Sequence, residues 1–212
     1  MAAFVIDSPG LEEHDTPGRQ IHFEAGGQNR DLLMAAGVSA LGLQLHVARR
    51  GLEAFHELVD LKRVAVTGAS GGAVLSAYML LAEPTLAGGV MTSFVDVPRV
   101  LDGGGCYCDV LPGYEGPDPS VLAAISAPTL WISDIKRDKP AGLSKAAQFT
   151  VSLGPHSYTA EHRRLALKFL GDLFGERGYQ SHQSLPYTPG ERLRSVPLPD
   201  GISVKQLIKR LE

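Results

Sequence analysis

Five short apolar runs punctuate the chain: AFVID (3–7), RVAVT (63–67), LAGGVMTSF (86–94), PTLWIS (128–133) and FTVSLG (149–154). Each stops at Gly, Pro, Ser or Asp or close to one, and each reads as a strand buried on both faces. Between the first two, Leu41, Leu45, Ala48, Leu52 and Phe55 recur at helical spacing opposite His46, Arg49, Arg50 and Glu53. That pattern predicts an amphipathic helix. AVLSAYMLLA (73–82) is apolar nearly all round, as befits a helix packed centrally. TAEHRRLALKFLGDLFG (159–175) has a candidate N-cap in Thr159, one face of Leu165, Phe169 and Leu173, and a stop at Gly175. Alternating strands and helices predict an α/β domain with a mainly parallel sheet of about five strands and right-handed crossovers. Past Gly175 the prolines of GYQSHQSLPYTPGERLRSVPLPDG obey no period, and SVKQLIKRL comes next with Ser203 and Gln206 spaced as a capping box. The expectation is a core over 1–175 and a C-terminal extension over 176–212.

Bulk properties narrow the partners. With 212 residues, 44% of them hydrophobic, the chain can bury a core without disulfides or a structural metal. A net charge of -3 offers no electrostatic reason to expect nucleic acid or an anionic membrane as partner. The two cysteines, Cys106 and Cys108, form a C-x-C pair that is no disulfide framework, which favours a reducing compartment. They read as packing residues, since a metal site needs more ligands nearby. MAAFVIDSPG has neither a basic n-region nor a long apolar h-region, and no segment is apolar enough to span a bilayer. A cytoplasmic protein is expected.

The chemistry concentrates in VAVTGASGGAV (64–74), which admits two readings. As a dinucleotide fingerprint, its glycines would cradle a pyrophosphate, with Asp96 about 20 positions on as the ribose ligand. Thr67, Gly68 and Gly72 are similar to the turn of short-chain dehydrogenases. Against this, Val74 occupies the place of the last glycine, and the chain lacks a Tyr-x-x-x-Lys pair. As a G-x-S-x-G nucleophile elbow, Gly68, Ala69, Gly71 and Gly72 are the small neighbours that a strained serine at 70 requires. A serine hydroxyl needs a histidine base and a carboxylate to orient it, in the chain order Ser, acid, His. Asp134 and Asp138 come after PTLWIS, and His156 after FTVSLG. Both sit where C-terminal strand ends are predicted, the edge at which open α/β sheets place their sites.

From about residue 36 to 170 the chain resembles the α/β-hydrolase superfamily, and within it the acetyl xylan esterase-like serine hydrolases. The residues that carry the resemblance are VTGASGG at the elbow, LGLQLHVARRGLEAF before it, GGGCYCD (103–109), and PHSYTAEHR around His156. LRSVPLPDG near the end is similar to the segment after the hydrolase core in some members, as in a piece or relative of a longer protein. The resemblance implies a truncated α/β-hydrolase fold with Ser70 as nucleophile, His156 as general base and Asp138 as acid, Asp134 being the competitor because Asp138 lies one position beyond the usual distance from Pro128. It implies no cofactor or metal, and a small-molecule ester, such as acetylated carbohydrate, as substrate.

The oxyanion hole would take one N–H from Gly71. AFVID is the one clear strand before the elbow strand and is similar to the family's fourth, so the loop that supplies the second N–H in the family is expected to be absent. If AFVID pairs with RVAVT, Ser8 or Gly10 stands beside Ser70 as the replacement donor. His14, His22, His46, His56, His162 and His182 form no ligand spacing and are expected at the surface. Two other classes stay open: a trimmed hydrolase fold that binds without catalysing, and an NAD(P)-dependent oxidoreductase. A short sheet with an exposed edge could also recruit a second copy of the chain.

Overall fold

The computed structural model describes residues 35–58, 63–93, 122–140 and 142–176, together with Lys209. The expectations placed on AFVID, Ser8, Gly10, Asp96, Cys106, Cys108, the remaining histidines His14, His22 and His182, and nearly all of the C-terminal extension lie outside them.

In chain order the elements are α1 (Ala40–Leu58), β1 (Ala65–Ala69), α2 (Gly71–Ala82), β2 (Gly88–Thr92), β3 (Thr129–Ser133), β4 (Ala147–Val151) and α3 (Ala160–Phe174). The four strands form one sheet in the order β1-β2-β3-β4, every pair parallel. This is the small parallel sheet flanked by helices that a truncated α/β-hydrolase-like fold requires.

Alternating side chains divide the core in two. Met91, Trp131 and Ala147 pack with Ala48 of α1 and Ala73, Ala77 and Leu80 of α2. Val90, Leu130 and Ile132 point the other way, against Ala166, Phe169 and Leu170 of α3. The α1 stripe behaves as expected: Leu41 and Ala48 are buried, Leu45 and Leu52 pack on the same cluster, and His46, Arg49, Arg50 and Glu53 are exposed. So does α3, whose Thr159 side chain accepts from the His162 N–H and whose Gly175 has the left-handed φ of 75°.

Two expectations about the strands change. β2 and β3 are buried at every position, but β1 and β4 are only partly so, because among the described residues they are the sheet's two edges. Nor does a helix separate β3 from β4, since the described part of 134–146 consists of turns and irregular chain. Lys139 holds that connection to the sheet by donating to the Ala147 carbonyl at 2.9 Å.

Candidate active site

The elbow is built by steric necessity. At Gly68, an added Cβ would lie 2.2 Å from the Gly72 carbonyl oxygen and 2.9 Å from the Ala73 nitrogen, so any side chain there would push α2 off β1. At Gly72, by contrast, an added Cβ meets nothing within 4 Å. The tight turn leaves Ser70 at φ 53° and ψ -121°, a strained backbone for a residue with a side chain. Its surroundings fix it there: Ser70 N–H donates to the Thr92 carbonyl at 2.9 Å, and its own carbonyl accepts from Ala73 at 2.9 Å and Val74 at 3.2 Å.

The histidine arrives from the opposite edge. After β4, Ser152 N–H donates to the Ser133 carbonyl at 2.8 Å and Gly154 N–H to the Asp134 carbonyl at 3.2 Å. These two bonds lay the loop that carries His156 alongside the end of β3. His156 Nε2 lies 2.9 Å from Ser70 Oγ, and His156 Nδ1 lies 2.7 Å from Asp134 Oδ2. The carboxylate side chain is only 10% exposed and the imidazole 53%. With Nδ1–H donating to Asp134, Nε2 presents its lone pair to the Ser70 hydroxyl, the tautomer a general base needs. Ser70, His156 and Asp134 thus form the Ser-His-Asp arrangement of a serine hydrolase.

The carboxylate is a correction. Asp138, which the family resemblance favoured although it lies one position beyond the usual distance from Pro128, is exposed in the β3–β4 connection, and His156 bonds Asp134 instead. The reason is local: Asp134 is the first residue past β3 and is stitched to the His156 loop. At the next step the chain turns, with Ser133 Oγ donating to the Ile135 carbonyl at 2.8 Å. Asp138 lies four residues beyond Asp134 along this connection and is exposed.

A second correction concerns His162, expected at the surface and found fully buried. It lies three residues before Leu165 and four before Ala166, both of which pack against the α3 side of the sheet, so the helical stripe already marked its face inward. Sequence reasoning also missed Tyr158 and Ser93. Tyr158 Oη and Thr67 Oγ1 are 3.1 Å apart, tying the histidine loop to the strand that leads into Ser70. Burial pushes the Tyr158 phenol above its usual 10.0, with the Thr67 hydrogen bond and the Arg163 charge opposing in part. Ser93, the residue after β2, has φ 52° and a buried hydroxyl with no hydrogen-bond partner among the described residues. No helix among the described residues is long and apolar enough to cross a membrane, and no His, Cys, Asp or Glu cluster there could hold a metal ion. A cavity of about 350 Å³ between β3, β4 and α3, floored by Leu130, Phe149 and Phe169, includes none of the triad.

No protein-family model and no curated protein matches the chain. Among solved structures, the acylaminoacyl peptidase of Pyrococcus horikoshii is similar at 15% identity and a TM-score of 0.48. The match covers 71% of this chain and 30% of that one, so the present chain spans less than a third of the peptidase's length.

Proposed function

We propose that the protein is a serine ester hydrolase that works through an acyl-enzyme. The observation that carries this reading is the unbroken path from Ser70 Oγ to His156 Nε2 at 2.9 Å and from His156 Nδ1 to Asp134 Oδ2 at 2.7 Å, anchored on a strained turn. Ser70 Oγ attacks the ester carbonyl carbon while His156 Nε2 takes its proton. Asp134 holds the ring and stabilises the imidazolium that results. The proton then passes from Nε2 to the departing alkoxide as the C–O bond breaks. Water, activated by the same nitrogen, adds to the acyl carbon and releases the acid, restoring the Ser70 hydroxyl.

For the oxyanion we assign one donor to Gly71 N–H, at the head of α2, where the first N–H groups of a helix lack intrahelical partners. The second we assign to Ser8 N–H, on the sequence reading alone. The resemblance to acetyl xylan esterase-like enzymes supports small acyl esters, acetylated carbohydrate among them, as substrates.

A fluorophosphonate probe tests the reading, because it bonds covalently only to an activated serine. The expected result is one adduct on Ser70, lost in Ser70→Ala together with hydrolysis of p-nitrophenyl acetate. A folded wild-type chain that takes no label is a binding protein built on a hydrolase fold, and saturable NAD binding would restore the dinucleotide reading.

A further inference from the structure

We propose that His162 is a positioning residue for the general base: a buried imidazole that clips together the two ends of the loop carrying His156. The proposal rests on the serine-hydrolase reading and deepens it.

The loop has little burial to hold it. The His156 side chain is 53% exposed, and Leu153, in the same loop, is 70% exposed. A catalytic base must nevertheless keep its nitrogen within hydrogen-bond reach of the nucleophile, and a misplacement of about 1 Å can cost on the order of 10²-fold in rate. Something inside the molecule has to define where the loop begins and ends.

His162 meets that need. Its ring is fully buried under the loop, with Nε2 3.0 Å from the Ser152 carbonyl and Nδ1 2.9 Å from the Ser157 carbonyl. Ser152 is the first residue past β4, and Ser157 directly succeeds His156. One rigid ring therefore measures the span between the point where the loop leaves the sheet and the point just beyond the base. The ring is itself anchored, because the Thr159 cap accepts from the His162 N–H at 3.1 Å and fixes the first turn of α3.

The chemistry of the two contacts is specific. A carbonyl oxygen only accepts, so a ring nitrogen bonds its carbonyl only by donating. No other uncharged or charged side chain of this size offers two donors on opposite sides of a flat ring. Gln offers donors on a single nitrogen, and Phe copies the shape with no donor at all.

A histidine that merely filled space would, on replacement, change stability and leave turnover alone. The clip is tested in the full 212-residue chain with His162→Phe and His162→Gln, reading kcat and KM on p-nitrophenyl acetate and the rate of fluorophosphonate bonding to Ser70. In His162→Phe, kcat and the bonding rate are expected to fall about 10²-fold with KM within about twofold, the signature of lost transition-state positioning. His162→Gln should recover part of that loss. Cooperative thermal melts report whether each variant folds. If His162→Phe does not fold, His162→Gln decides: a lowered kcat at unchanged KM supports the clip. Wild-type kcat and bonding rate in any folded variant overturn it. An unlabelled wild-type chain overturns the hydrolase reading and the clip together, an outcome distinct from a labelled wild type whose variants are equally fast.

Discussion

The two halves of the site are held by different physics. On the β1 side, Ser70 is placed by contacts the backbone cannot relax: a helix packed so close that position 68 has no room for a Cβ, and a turn in which the Ser70 N–H and carbonyl are both engaged. On the β4 side, His156 stands on an exposed loop held by individual hydrogen bonds to Asp134, Ser133 and His162, and to Thr67 through Tyr158. The nucleophile is thus fixed by packing and the base by polar ties. Substitutions on the first side should act on folding, and those on the second on turnover.

The largest contrast is expected between two neighbouring carboxylates. Asp134→Asn should lower kcat by about 10⁴-fold, because the amide can no longer orient and stabilise the imidazolium. Asp138→Asn should stay within about twofold of wild type, as expected for an exposed loop residue. A loss of that size in Asp138→Asn, with Asp134→Asn near wild type in steady-state kinetics, would return the acid to Asp138.

On the packing side, the two glycines that flank the serine should part company. Gly68→Ala should cost more than about 3 kcal/mol in urea unfolding, since the intruding Cβ meets backbone that cannot step aside. Gly72→Ala, with open space and no positive φ to satisfy, should stay within about 1 kcal/mol of wild type. Similar destabilisation by both would mean that the motif's symmetry, not the close approach at Gly68, sets the turn.

The smallest effect is expected at Tyr158. Tyr158→Phe removes the tie to Thr67 and should cost about 1 kcal/mol of stability and only a few-fold of kcat. It should also change the alkaline response. Because burial raises the phenol above 10.0 in the folded chain, the unfolded chain gives up this proton first. The stabilisation is whole below about pH 10 and is lost as pH climbs through the folded value. Denaturant melts across that range should show a weaker fall in the Phe variant.

The elements legible in the sequence are those governed by short-range rules. Ser70 can be read from its small neighbours, and His156 from its place after an apolar run. Thr159 and Gly175 bound α3 as caps do. The features that escape depend on three-dimensional neighbours. Whether Asp134 or Asp138 meets the ring is decided by inter-loop bonds from Gly154 and Ser152, which no spacing along one segment encodes. That β1 and β4 are only partly buried comes from strand order, and apolar content does not report it. His162 is the one miss with a visible signal, for it lies on the stripe of Ala166 and Phe169, and only the polarity of histidine argues for the surface.

The uneven wetting of the charge pair carries a last implication. Asp134 is almost dry while the ring of His156 stands half in water. Counterions can approach the imidazolium formed during turnover from its open side only, and the carboxylate that steadies it lies largely beyond their reach. Screening acts weakly on such a shielded partner, so the support that Asp134 gives should persist at ionic strengths that would dissolve an ordinary surface ion pair.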